Sequence, residues 1–193
     1  MMEQAEGLKT AQRIADQVTK AYGVARVRVY ATSDLGSTTG AGYLYRQDWI
    51  FIRPELLTGN AFLVVLTHEL GHATLGHRPI YLPREQLRAA IADGERAANR
   101  RGIEIMVRFF GVTERQALEH YATYFIERNR VRAGRTISLP FGHPLPCEQS
   151  RDLWASFGRT APPCEAFTSV PEVKECPYDD WMSTGCQAGQ PLK

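Results

Sequence analysis

Residues 61–76 read AFLVVLTHELGHATLG, and this stretch decides how the rest of the chain is interpreted. Its first part, residues 62–66, is continuously apolar, which favours a helix buried in a core. Asn60 suits the N-cap position before it, and Gly76 suits the position just after the last helical residue. The stretch therefore predicts a buried helix from Ala61 to about Leu75.

The polar part of this helix is an HExxH motif, formed by His68, Glu69 and His72. Residues four apart lie one above the other on a helix, so both imidazoles can reach a single metal ion. Imidazole nitrogens suit zinc, and Glu69 is placed to accept a proton from a water on that metal without ligating it. The motif is typical of zinc metalloproteases, and the alternative is a helix whose histidines make ordinary surface contacts.

A catalytic zinc site needs a third protein ligand, and the sequence offers two main candidates. His77 lies five residues after His72, one short of the spacing in the metzincin pattern HExxHxxGxxH. It directly follows Gly76, where polar side chains commonly interact with a helix end. We therefore predict that His77 interacts with the helix end and is not the third ligand.

Residues 95–102, ERAANRRG, resemble the glutamate helix of gluzincin metallopeptidases. Together with the HELGH motif they resemble the soluble Ste24-like and repressor-cleaving members of that clan over about residues 61–118. The resemblance implies that Glu95 is a zinc ligand and that Glu69 is the general base of peptide hydrolysis. Ala97 departs from the pattern, because a second glutamate is usual there.

Asn99 lies one turn from Glu95 on the same helix face, so we expect it to accept a hydrogen bond from a ligand histidine. An asparagine in this role adds no negative charge. The alternative for Glu95 is a solvated carboxylate paired with a neighbouring arginine, with Glu104 and Glu119 as reserve ligands. Four residues could donate a hydrogen bond to the oxyanion of a peptide-hydrolysis intermediate, namely His120, Tyr121, Tyr124 and His143. The helical spacing of the two tyrosines favours a core role for them.

The rest of the pattern predicts an α+β fold, and the resemblance implies that this fold is zincin-like. An N-terminal helix ending at Gly23 and a small, mostly antiparallel sheet precede the active-site helix, and a glutamate helix and a further helix follow it. The predicted strands are residues 24–30, 43–45 and 49–52, the last two forming a hairpin. The glutamate helix runs from Pro83 to Phe110 with a break at residues 93–94, and a capping-box pattern at residues 113–116 opens the next helix.

The last quarter of the chain differs in composition. Residues 140–193 contain eight of the eleven prolines and all four cysteines, namely Cys147, Cys164, Cys176 and Cys186. An even cysteine count without a CxxC spacing favours two disulfides, and hence an extracytoplasmic compartment, over free thiols in the cytoplasm. We predict a catalytic domain at 1–135 and a Pro/Cys-rich extension at 136–193 that packs on it.

Composition restricts the partners. A net charge of +2 over 193 residues argues against a mainly electrostatic nucleic-acid binder, and the arginines of residues 84–101 are interleaved with acids. No apolar run is long enough to span a membrane. The HExxH motif and the resemblance to gluzincins imply a zinc-dependent peptidase that acts on extended peptides or flexible protein segments. The alternatives are a catalytically inert zinc-bound interaction module and, less favoured, a DNA-associated protein.

Overall fold

The computed structural model describes residues 2–33, 41–59, 61–130, 137–139, 144, 146–161 and 173–175. The predicted α+β class is confirmed over these residues, whereas the likeness to zincins stays a prediction. The elements in chain order are α1 (Met2–Tyr22), β1 (Arg28–Ala31), β2 (Ala41–Leu44), β3 (Trp49–Ile52), a 3-10 turn (Pro54–Leu56), α2 (Ala61–Leu75), α3 (Arg84–Phe110), α4 (Glu114–Arg130), β4 (Ile137–Leu139), α5 (Pro146–Ser156) and β5 (Val173–Glu175).

The main sheet has three strands in the order β1-β3-β2. Strands β2 and β3 form the predicted antiparallel hairpin, but β1 pairs with β3 in parallel. The sheet is therefore mixed and not mostly antiparallel. After β1 the chain forms β2 at the opposite edge of the sheet, running in the opposite direction. The hairpin then reverses the chain again and places β3 between the two, so β3 is parallel to β1. Strands β4 and β5 form a separate parallel pair.

One hydrophobic cluster joins the sheet to the first two helices. Alternate residues of β1 and β3 face this cluster, as expected for a sheet with one buried face, namely Val29, Ile50 and Ile52. Residues of α1 and α2 complete the cluster, including Ala15, Val18, Leu66 and Leu70. Helix α2 thus lies against the sheet with its apolar side.

A second cluster joins α2 to the later helices. It contains Val64 of α2, Ile103 and Met106 of α3, Leu118 and Tyr121 of α4, and Leu153 of α5. Helix α2 therefore has apolar contacts with both clusters, which explains why its residues 62–66 are continuously apolar and why residues 64–67 are all buried.

Helix boundaries agree with the capping signals at most positions. Gly76 and Gly111 end α2 and α3 with φ of 65°. This is the left-handed region that favours glycine. The backbone N–H of Gln116 donates to Thr113 Oγ1 at 3.2 Å, and the Gln116 side chain accepts from the Thr113 N–H at 2.8 Å. These two reciprocal bonds are the predicted capping box. Asn60 lies outside the described residues.

The predicted break at residues 93–94 is wrong, since α3 is continuous from Arg84 to Phe110. Asp93 accepts a hydrogen bond from Arg96 at 2.6 Å. Such an i,i+3 pair stabilises a helix, here across the expected break. Pro83 is the N-cap and not the first helical residue.

Helix α5 packs on the helices that precede it. Leu153 is 4% exposed, Asp152 accepts from Arg96 of α3 at 2.8 Å, and Arg159 donates to Glu114 of α4 at 2.9 Å. Cys147 is disulfide-bonded. Cys164, Cys176 and Cys186 lie outside the described residues, so the predicted pairing and the division at residues 135–136 stay predictions. Within the described part of the chain, no helix has the length and apolarity needed to cross a membrane.

Candidate metal centre

The centre depends on a close approach between α2 and α3. A Cβ atom added at Gly71 would lie 3.1 Å from Cα of Ala98 and would overlap its carbonyl oxygen. A Cβ added at Gly102 of α3 would lie 3.2 Å from the backbone carbonyl oxygen of Thr67 on α2, and it would also overlap the hydroxyl of Tyr121 on α4. Two glycines, one on each helix, therefore let the backbones come together and bring the side chain of Glu95 over the HExxH residues.

Three predicted ligand side chains converge at this approach. His68 Nε2 and His72 Nε2 are 3.2 Å apart, and the Glu95 carboxylate oxygens lie 3.3 Å from the first and 3.4 Å from the second. In a tetrahedral zinc site with bonds of about 2.0–2.1 Å, neighbouring ligand atoms are separated by about 3.3 Å. The three side chains thus form a group that could hold a metal ion.

The second ring nitrogen of His68 faces Asn99, as predicted. His68 Nδ1 and Asn99 Oδ1 are 2.9 Å apart, and Asn99 is only 3% exposed. Because an amide oxygen can only accept, His68 Nδ1 carries the proton. In the neutral ring this leaves the lone pair of Nε2 directed toward Glu95 and His72, as a metal ligand requires.

His77 lies beside His72 and not in the ligand group. The two Nδ1 atoms are 2.8 Å apart, and the ring planes are inclined at 69°. Burial and the neighbouring imidazole of His72 lower the pKa of His77 to about 4. His77 is therefore a neutral hydrogen-bonding partner of a predicted ligand, a contact that the sequence pattern did not lead us to expect.

The centre favours positive charge. Burial opposes protonation of His68, but hydrogen bonding and charge attraction from Glu95, together with the charge of Glu69, outweigh it and raise the pKa of His68 to about 9. The same carboxylates would stabilise a bound cation. The side chains of His68, His72 and Glu95 keep 19%, 16% and 12% exposure, so the group is open to solvent on one side.

Glu69 lies on the same helix as the two histidines and is 7% exposed. Its charge contributes to the raised pKa of His68, so the carboxylate belongs to this neighbourhood. The predicted base is therefore buried on the helix that carries the two histidines and interacts electrostatically with His68.

The other candidates from the sequence lie elsewhere. Tyr121 is fully buried, with its hydroxyl 3.3 Å from Thr67 Oγ1, and Tyr124 packs in the core. His120 is exposed on α4, and His143 lies outside the described residues. The reserve ligands Glu104 and Glu119 form ion pairs with arginines of their own helices.

Comparison of the chain with models of protein families, with curated proteins and with solved structures finds no match. The geometry of the centre is therefore the basis for assigning a function.

Proposed function

We propose that the protein is a zinc-dependent peptidase. The observation that carries this proposal is the convergence of His68, His72 and Glu95, whose ligand atoms are separated by 3.2–3.4 Å. Two imidazoles and a carboxylate are a donor set that zinc accepts, and they leave a fourth position for water or substrate. The partial exposure of the three side chains gives that position a route to solvent.

Glu69 would move the proton in this reaction. When bound, zinc supplies a Lewis acid that lowers the pKa of water and polarises a carbonyl group. The carboxylate of Glu69 then accepts the proton of the attacking water and returns it to the amine that leaves. Its burial beside His68 keeps this carboxylate near the reacting atoms. Its position in the HExxH motif matches this role.

Strand β2 is our candidate for substrate binding. It is an edge strand of the sheet, paired with β3 on one side, and it contacts α2, the helix that holds the HExxH motif. An extended peptide can add to such an edge through main-chain hydrogen bonds. The proposed substrate is therefore an extended peptide or a flexible segment of a protein, whose scissile bond would lie over α2.

The two alternatives receive less support. An inert zinc-bound interaction module does not require the buried carboxylate of Glu69, whereas a hydrolase does. The DNA-associated alternative needs free arginines on α3, but Arg96, Arg100 and Arg101 all face carboxylates within 4 Å. The neighbouring carboxylates offset the positive potential that would attract phosphate groups.

A peptide-library digest tests the proposal. The wild-type protein should cleave, and Glu69→Gln should retain zinc but lose activity by about 10²–10⁴-fold, the usual contribution of a general base. Glu104→Gln is the matched control, because it makes the same chemical change at a surface ion pair on α3, and it should remain active. A fully active Glu69→Gln variant would contradict the role of Glu69, and a zinc-loaded wild type that cleaves no peptide would favour the interaction module.

A further inference from the structure

The backbone at the end of α2 explains why His77 meets His72. The N–H of Gly76 donates to the carbonyl of Ala73 at 3.1 Å, and the N–H of His77 donates to the carbonyl of His72 at 3.0 Å. With Gly76 in the left-handed conformation, these two bonds form a Schellman motif. This motif folds the second residue beyond the helix back onto the helical residue five positions earlier, here His77 onto His72.

The side chain of His77 is also positioned from α3. The Cβ of an alanine at residue 94 would lie 3.8 Å from Cε1 and 3.9 Å from Nδ1 of His77, so Gly94 lies alongside the imidazole without crowding it. The Schellman motif therefore fixes the backbone of His77, and α3 passes the edge of its ring at Gly94.

The imidazole rings of His72 and His77 are close enough to share one hydrogen bond. The Nδ1 atoms of His72 and His77 are 2.8 Å apart. Two such nitrogens form a hydrogen bond only if one of them carries hydrogen and the other offers a lone pair. If His77 were the donor, neutral His72 would carry its proton on Nε2, which faces Glu95 and His68. That tautomer cannot ligate a metal through Nε2, so ligation requires His72 to donate and His77 to accept.

We propose that His77 is a positioning residue of the metal centre, which accepts the Nδ1–H of His72 and so directs the Nε2 lone pair of His72 at the metal. This inference rests on the proposed metal site and adds to it. His77 would accept the Nδ1–H of His72, as Asn99 accepts the Nδ1–H of His68. Both acceptors are uncharged, so the two ligand histidines have neutral partners in place of the carboxylates that commonly occupy this position.

Zinc affinity, measured by competition with a chromophoric chelator, tests this role through three variants of the full chain. His77→Phe keeps the bulk but removes the acceptor, and it should weaken zinc binding by about 10–100-fold, the usual effect of losing such a partner. His77→Asn should bind close to wild type, because asparagine Oδ1 occupies the same place on its side chain as histidine Nδ1. His120→Phe makes the same change at an exposed histidine and should have no effect. Melting temperatures of the chelator-treated variants show whether each one folds.

Nitrogen-15 NMR of the zinc-loaded wild type tests the same assignment without any substitution. We expect His72 to carry its proton on Nδ1 and His77 to carry its own on Nε2. A proton on Nδ1 of His77, a metal bond to His77, or equal zinc affinity in wild type and His77→Phe would overturn the inference. If the wild type binds no zinc at all, the proposed centre fails as well, so the two failures can be told apart.

Discussion

The close approach of α2 and α3 makes Gly71→Ala the most informative substitution outside the proposed ligands. The added methyl group would meet the backbone of Ala98, which cannot rotate away as a flexible side chain can. Ala98 lies less than one turn after Glu95 on α3. Any separation of the helices at this point therefore also displaces the carboxylate from His68 and His72.

The size of this displacement follows from the contact distance. The new Cβ would lie 3.1 Å from Cα and from the carbonyl carbon of Ala98. An unstrained contact between carbon atoms needs about 3.5–4.0 Å, so the helices must separate by roughly 0.5–1 Å. Distances in a metal site vary by only about ±0.2 Å, so this shift exceeds what a bond between Glu95 and a metal ion would tolerate.

Two measurements on Gly71→Ala check this reasoning. We expect overpacking to cost about 1–3 kcal/mol of unfolding free energy. In a chain of this size that lowers Tm by about 2–12 °C. Zinc affinity should fall as well, by roughly tenfold or more, as it does when a ligand loses its support.

Gly94→Ala is the matched control on the partner helix. Its new Cβ would lie 3.8 Å from the nearest atom of His77, an ordinary contact. Alanine is also the better helix former by about 1 kcal/mol. This control should keep wild-type zinc affinity with an equal or higher Tm. If Gly71→Ala behaved like Gly94→Ala, the tight crossing of α2 and α3 would not be what holds Glu95 in place.

Three further predictions concern the parts that support the centre. Tyr121→Phe removes a buried hydroxyl that lies 3.3 Å from Thr67 Oγ1. Loss of this hydrogen bond should cost about 0.5–1.5 kcal/mol in denaturant unfolding while zinc stoichiometry is unchanged. Deletion of residues 140–193 removes Leu153 from the hydrophobic cluster between α2, α3 and α4, so we expect aggregation or a clearly lower Tm. A soluble truncated protein with higher peptidase activity would instead indicate that the extension restricts the cleft. Thiol mapping of non-reduced protein should find Cys147 in a disulfide, and a free thiol at this position would contradict the structure.

The sequence predicts α2 and the close approach of its two histidines well because all the information is local. A capping glycine and an apolar run define the helix, and the i,i+4 spacing alone brings His68 and His72 together. The contact between Asn99 and His68 is predicted for a similar reason, since it needs only that Glu95 and Asn99 share one helix face. The capping box at residues 113–116 is a local signal of the same kind.

The rest depends on contacts between distant residues. The parallel pairing of β1 with β3 follows from the order of the strands in the sheet. The alternation of apolar and polar residues within a strand does not predict that order. The expected break in α3 follows from helix propensity at residues 93–94, which the Asp93–Arg96 pair and packing against α2 override. The contact between His77 and His72 had a local signal, because Gly76 predicts a Schellman motif, but we interpreted His77 only as a polar residue near a helix end.

The measurement that tests the central claim most directly is the zinc content of purified protein, compared between wild type, Glu95→Ala and Glu104→Ala. If Glu95 completes the centre with His68 and His72, wild type and Glu104→Ala should each hold about one zinc per chain, as a single three-ligand site requires. Glu95→Ala should lose the metal or release it to a weak chelator. Zinc retained at full affinity by Glu95→Ala, or absent from all three proteins, would contradict the proposed centre.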